Sequence, residues 1–207
     1  ASTLADRLVV VTAGPTFEDL DPVRYIGNRS SGRMGLAIAR EAVRRGARVH
    51  LVLGPTSLEP PAGCETTRVR RAADLHAAVM PLAESADVVI MAAAVADYTP
   101  VAPSHQKIAK QAGPVTLTLA RTVDILAERG QRRASAGHGP VLVGFAAETE
   151  HVISRASEKR RRKQVDLIVA NDVSRADAGF DVETNIVTLV GPDATEALPL
   201  QTKSRVA

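Results

Sequence analysis

Five short aliphatic runs recur along the chain with longer helical stretches between them, and this alternation limits the fold more than any other feature. The runs are 8–12 (LVVVT), 49–53 (VHLVL), 87–91 (DVVIM), 141–145 (VLVGF) and 166–170 (DLIVA). Each is apolar almost throughout, not at every second position, as expected of strands covered by helices on both faces. Helical spacing fills the gaps at 31–45, 72–84, 123–133 and 149–163. In the first of these, Met34, Ala37, Ile38, Ala42 and Val43 share one face. Arg33, Arg40, Glu41, Arg44 and Arg45 take the other, and Gly46 supplies a stop. Such βαβ alternation predicts an α/β fold, a Rossmann-like three-layer sandwich around a mostly parallel sheet. At 207 residues the chain reads as one domain, 1–207.

Two segments depart from the alternation. Residues 115–120 (VTLTLA) read as a period-two strand, and 184–190 with 197–200 read as a hairpin around Gly191-Pro192-Asp193. These antiparallel strands extend the sheet or build an interface arm. Long loops are expected at 14–30, 54–67 and 97–114, and loops at the carboxyl ends of parallel strands are where α/β proteins bind ligands.

Composition removes several functions. The aromatic residues are Phe17, Tyr25, Tyr98, Phe145 and Phe180, with no tryptophan, too few rings for a base-stacking platform or an aromatic hot-spot surface. A net charge of +3 suits small anions as well as nucleic acid. Cys64 is the single cysteine, which excludes an internal disulfide and a multi-cysteine metal centre and fits a reducing cytoplasm. No apolar run is long enough to span a bilayer. Residues 1–7 (ASTLADR) lack a secretory core segment and read as the start of an excised domain or a linker remnant.

The first strand leads through a glycine-bearing loop to a helix beginning Ser31-Gly32-Arg33-Met34-Gly35, which invites a dinucleotide reading. The long stretch 14–30 replaces the tight G-x-G-x-x-G turn, and the second strand ends in Leu53-Gly54-Pro55 without the acidic residue that binds a ribose. Neither tyrosine begins a Tyr-x-x-x-Lys pair: Ala102 follows Tyr98 at that distance, and Arg29 follows Tyr25. Nicotinamide chemistry is therefore disfavoured. The loop 21–32 (DPVRYIGNRSSG) is either an anion cradle, built of helix N–H groups, Ser30, Ser31 and flanking arginines, or an ordinary capped helix start. A capped helix explains Asn28 least well, whereas a neutral amide beside phosphate donors can stabilise an oxyanion.

Further candidates follow the later strands. Small residues in 91–96 (MAAAVA) either admit a ligand to the backbone or pack a helix tightly, and Asp97 offers a carboxylate to a hydroxyl, an amine or Mg²⁺. Lys107 and Lys110 are solvated loop charges or neutralise a polyphosphate. Phe145 offers a ring face at a strand end, and Thr149 a helix cap. Lys159 and Lys163 stand one helical turn apart within 158–163 (EKRRRK), a solvated face, a nucleic-acid patch or a pair aimed at one ligand. Asn171-Asp172 adds polar residues at another strand end. The histidines show no metal-ligand spacing, and Cys64 has no evident base.

Taken together, 21–32 (DPVRYIGNRSSG), 92–98 (AAAVADY), 107–111 (KIAKQ), 144–149 (GFAAET) and 170–173 (ANDV) closely resemble phosphopantothenate-cysteine ligases of the bacterial, CTP-dependent type. The resemblance implies a two-step reaction in coenzyme A biosynthesis. The 4'-phosphopantothenate carboxylate attacks the α-phosphate of CTP to give an acyl-cytidylate and pyrophosphate, and L-cysteine then displaces CMP. It also implies a role for Asn28 in the acyl-cytidylate and its conversion, and makes Arg24 a candidate for the acid's phosphate, alone or with the partner subunit. CTP would be bound by Met91, Ala92, Ala93, Asp97, Lys107, Val123, Asp124, Ile125, Phe145, Lys159 and Lys163, with Mg²⁺ on the nucleotide and the metal ligands unassigned. A cytoplasmic homodimer is implied, with the strands in 115–120 and 184–200 as its arm, and fusion to a flavin-dependent phosphopantothenoylcysteine decarboxylase domain.

Three departures from the family pattern stand out. Pro15 replaces the second glycine of TAGGT, Ala109 replaces a lysine of K-x-K-K, and Thr122-Val123 stands where Asn-Pro is common. A non-catalytic nucleotide-binding domain and a nucleic-acid-binding domain are the alternative readings.

Overall fold

The computed structural model describes residues 3–110, 112–148, 150–172 and 183–207. In chain order the elements are β1 (Leu8–Ala13), β2 (Phe17–Asp19), β3 (Tyr25–Gly27), α1 (Arg33–Arg44), β4 (Arg48–Leu53), β5 (Cys64–Arg68) and α2 (Ala72–Ser85). There follow β6 (Val88–Met91), β7 (Tyr98–Pro100), β8 (Leu119–Arg121), α3 (Ile125–Ala136), β9 (Val141–Glu148) and α4 (Val152–Lys163). The chain then forms β10 (Leu167–Asp172), β11 (Thr184–Asn185), β12 (Val187–Val190), β13 (Thr195–Ala197), β14 (Gln201–Thr202) and α5 (Lys203–Val206).

Among the described residues an eight-stranded sheet runs β13-β12-β10-β9-β6-β1-β4-β5. Every pairing from β5 across to β10 is parallel, while β12 and β13 add an antiparallel edge. The parallel part has the doubly wound order of a Rossmann-like fold. The expected α/β sandwich is therefore observed, and so are the five aliphatic strands and four helices.

The continuous apolar runs have a simple cause. Within β1, Val9, Val11 and Ala13 pack on the α1 side with Leu36, Ala39, Leu51 and Leu53. Val10 faces the opposite layer with Val52, Leu75, Val79, Leu142 and Ile168. Both faces exclude water, so alternation disappears from the sequence. Two aspartates set the strand starts: Asp87 Oδ2 accepts from Leu8 N at 2.8 Å, and Asp166 Oδ2 accepts from Leu142 N at 2.7 Å.

Three expectations need correction. The loop expected at 54–67 ends in β5, a parallel edge strand whose sequence, CETTR, lacks the aliphatic signal because much of it borders solvent. The strand expected over 115–120 is only β8, paired with β7, and Val115, Leu117 and Leu119 remain exposed. Their period-two pattern finds no covering layer within the described chain. The segment 184–200 divides: β12 and β13 extend the central sheet, whereas β11 pairs with β14. The Thr149 cap lies outside the described residues. Among them, no helix is long and apolar enough to cross a membrane.

Candidate functional site

Neighbouring strands β1 and β6 connect to opposite sides of the sheet, so the loops leaving their carboxyl ends diverge and open a crevice. A cleft of about 1040 Å³ occupies that place. Its walls come from the β3–α1 loop, the residues after β6, the start of α3, the end of β9, α4 and the β10–β11–α5 end.

The first wall depends on backbone contacts that only small residues permit. Gly14 has a φ of 81° and lies against Gly54, where an added Cβ would stand 1.9 Å from Pro15 O. Gly32, also at φ 81°, begins α1 against the backbone of Gly14. A Cβ on Gly35 would meet Ala13 Cβ at 2.5 Å, so this glycine sets how closely α1 approaches β1. Ser30 Oγ accepts from Gly32 N at 3.3 Å, and Thr56 Oγ1 donates to Ser31 O at 2.9 Å. The N-terminus of α1 thereby faces the cleft, a favourable position for an anion.

Pro15 is compatible with this arrangement. It forms a parallel bridge with Ala94 in which Ala94 N donates to Gly14 O (2.9 Å) and Thr16 N donates to Ala94 O (3.2 Å). Neither bond uses an N–H of residue 15. Two fully buried hydroxyls complete the join: Thr12 Oγ1 accepts from Ala93 N at 3.1 Å and Thr16 Oγ1 from Ala96 N at 2.9 Å. Neither threonine was singled out from the sequence, because the N–H each hydroxyl meets is set by the fold and not by a local pattern. Asn28 Nδ2 donates to Val95 O at 2.8 Å, which holds the amide beside the same stretch and leaves its second N–H for another acceptor.

The opposite wall carries paired charges. Asp124 caps α3 by accepting from Ala127 N at 3.1 Å and also accepts from Lys163 Nζ at 2.8 Å. Burial pushes the Asp124 carboxyl up, but the Lys163 hydrogen bond and charge outweigh it, so the net shift is downward. Lys159 lies 3.7 Å from Glu148 Oε1, and burial, then the Lys163 charge, hold its ammonium below the usual lysine range. Two lysines at this spacing form a cationic wall that an anionic ligand would relieve.

Of the residues proposed from sequence, the cleft brings together Asn28, Met91, Ala92, Ala93, Asp97, Val123, Asp124, Ile125, Phe145, Lys159 and Lys163. Arg24 and Lys107 are outside its lining. Arg24 is bound to Asp21, with Nε at 3.0 Å and Nη2 at 2.5 Å from Oδ2, and Nη2 also donates to Ile108 O at 2.7 Å. The same carboxylate accepts from Ile108 N at 3.1 Å. Arg24 thus fastens the loop containing Lys107, and its hydrogen bonding holds buried Asp21 far below the usual carboxylate range against the opposing effect of burial. Lys107 itself is exposed.

Asn185 and Lys203 also line the cleft, with Asn171. The first two gave no sequence signal, because a two-residue ladder and a four-residue helix deliver them. Cys64 sits in β5, outside the cleft lining, with its thiol pushed up by burial, so it is no candidate nucleophile. Among the described residues no group of three His, Cys, Asp or Glu side chains could hold a metal ion.

A family profile described as the DNA/pantothenate metabolism flavoprotein C-terminal domain matches residues 4–207. The chain is 46% identical over 209 aligned residues to the coenzyme A biosynthesis bifunctional protein CoaBC of Bacillus subtilis, covering 100% of this chain and 50% of that protein. It is 45% identical to the protein of the same name from Escherichia coli K12, covering 94% of this chain and 48% of the relative. The chain therefore spans about half the length of the curated relatives it matches. A crystal structure of the C-terminal domain of a CoaBC protein superposes with a TM-score of 0.83 at 42% identity, covering 100% of this chain and 92% of that one.

Proposed function

The chain belongs to the DNA/pantothenate metabolism flavoprotein C-terminal domain family, and on that premise we propose that it is the ligase that joins 4'-phosphopantothenate to L-cysteine at the expense of CTP. The observation that carries this reading is the convergence of sequence-distant segments on one cleft, with an amide at one wall and two lysines at the other.

In the first step the acid's carboxylate oxygen attacks the α-phosphorus of CTP, the new P–O bond replaces the bond to pyrophosphate, and an acyl-cytidylate remains. Both partners are anionic, so positive charge must lower their repulsion before they meet. Lys159, Lys163 and the N-terminus of α1 supply it, while Ala92 and Ala93 beside Met91 let the nucleotide lie against backbone and Phe145 offers a ring face. Val123, Asp124 and Ile125 border the same nucleotide. In the second step the cysteine amine attacks the acyl carbon, the C–O bond to CMP breaks with its electron pair on CMP, and the surplus proton passes to solvent. The second N–H of Asn28 suits the oxyanion formed on the way.

Mg²⁺ fits this donor set as a nucleotide-bound ion. Its oxygen ligands would come mainly from phosphates and water, with Asp97 the carboxylate at hand, and it would neutralise polyphosphate charge. Lys107 acts on CTP from the loop that Arg24 fastens, and Arg24 acts on the acid's phosphate together with a partner subunit. The uncovered Val115, Leu117 and Leu119 support a homodimer, and the half-length match to bifunctional relatives supports fusion to a flavin-dependent decarboxylase domain in a cytoplasmic protein. The test is an assay containing phosphopantothenate, cysteine and Mg²⁺ with CTP, ATP or no nucleotide. Release of pyrophosphate and CMP with CTP is expected, whereas CTP binding without pyrophosphate release would make the domain a binding module.

A further inference from the structure

We propose that Thr122 is a positioning residue for amide formation, acting on Asn28 through the peptide units of residues 95–97. The proposal rests on the ligase reading and deepens it by naming what holds the oxyanion donor in place. Thr122 Oγ1 donates to Ala96 O at 2.6 Å, and Thr122 N donates to Asp97 O at 2.9 Å. Ala96 is buried, so its carbonyl depends on this donor where water has little access. The other partners of the segment come from the first wall. Asn28 Nδ2 donates to Val95 O, and in the same peptide unit Ala96 N donates to Thr16 Oγ1.

One peptide plane thus carries Asn28 on its oxygen and Thr16 on its nitrogen, and the next plane is held by the Thr122 hydroxyl. A planar peptide turns as a unit. Rotation about the two single bonds of Ala96 is the freedom left between the planes, and a donor fixed on the Ala96 carbonyl removes it. Thr122 also stands where the chain passes from one wall of the cleft to the other. Two residues on, Asp124 accepts from Lys163 Nζ at 2.8 Å. The same short segment therefore ties the lysine wall to the peptides on which Asn28 rests, and Thr122 sets the separation between the lysines and the amide. The departure from the family pattern at position 122 supplies a hydroxyl that the cleft uses.

The experiment uses the full chain and reads the two half-reactions separately. Pyrophosphate release from CTP and phosphopantothenate with Mg²⁺ is measured without cysteine, and single-turnover amide formation is measured once cysteine is added. Thr122→Val keeps the branched shape and removes the hydroxyl. It should slow amide formation by about tenfold and leave pyrophosphate release and KM for CTP within about twofold. Thr122→Ser keeps the donor and should stay within about threefold of wild type in both half-reactions. In an Asn28→Asp background, Thr122→Val should add less than about twofold, because the side chain through which it acts no longer donates to Val95 O. Wild-type amide formation in folded Thr122→Val would overturn the proposal, and so would effects of the two substitutions that multiply. An equal fall in both half-reactions would also overturn it and give Thr122 to the nucleotide. Should Thr122→Val not fold, Thr122→Ala makes the same comparison, and a tenfold loss of amide formation in Thr122→Ser would overturn the proposal on its own. Absence of pyrophosphate release from wild-type protein would instead remove the ligase reading itself.

Discussion

Asn28 shows how little of a residue's role its type reveals and how much its surroundings add. An exposed asparagine after a short strand is unremarkable, but its donation to Val95 O fixes the amide where the β1 and β6 loops face each other. Asn28→Asp should keep the fold and slow amide formation by about 10²-fold, the usual cost of losing an oxyanion donor. Rapid-quench measurement should then find acyl-cytidylate accumulating, and an unchanged rate of amide formation would count against the role. Asn28, Asp97, Phe145 and the two lysines were legible because each belongs to a distinctive local motif. Thr12 and Thr16 were not, since what matters is which N–H each hydroxyl meets across the sheet. Arg24 was noticed for its charge, while its attachment to Asp21 and Ile108 depends on a loop far away in sequence.

Helix α1 joins stability to the site. Near its end, hydrogen bonds from Arg44 and then Arg45 hold the Glu41 carboxyl down from 4.5 to about 2. A lowered folded-state value means that the ionised form is favoured by folding. Glu41 therefore contributes stability fully above pH 4.5 and loses it as pH falls towards 2. Glu41→Gln should melt at a lower temperature than wild type at pH 7, with the difference closing across that acid window; a gap independent of pH would contradict this. At the other end, Gly35 lets α1 approach β1 at a distance no side chain permits. Gly35→Val should cost about 1–3 kcal/mol by overpacking and lower the melting temperature measurably. It should weaken CTP binding as well, because the start of α1 moves with the helix. An unaltered melting curve would show that the contact yields easily. The main strands were readable because burial on both faces writes itself into composition, whereas β5 and β8, each with a side to solvent or uncovered, were misplaced.

At the scale of the whole molecule, the doubly wound order explains why loops far apart in sequence meet in one cleft, and beside the ribbon of β7 and β8 runs an uncovered apolar stripe. Val115, Leu117 and Leu119 expose 62%, 45% and 38% of their surface along one short stretch. Light scattering at micromolar concentration should give the mass of a dimer, and Leu117→Glu should shift it towards the monomer; a wild-type monomer would remove the interface proposal. Formation of an acyl-cytidylate in this cleft is the chemical step on which the ligase reading stands, and isotope transfer reads it out. Phosphopantothenate labelled with ¹⁸O in its carboxylate is converted with CTP and cysteine, and the products are examined by mass spectrometry. CMP should carry the label, because the attacking oxygen stays on the α-phosphorus when the amine displaces CMP from the acyl carbon. Label in inorganic phosphate, with CDP as the other product, would show activation through an acyl phosphate and contradict it.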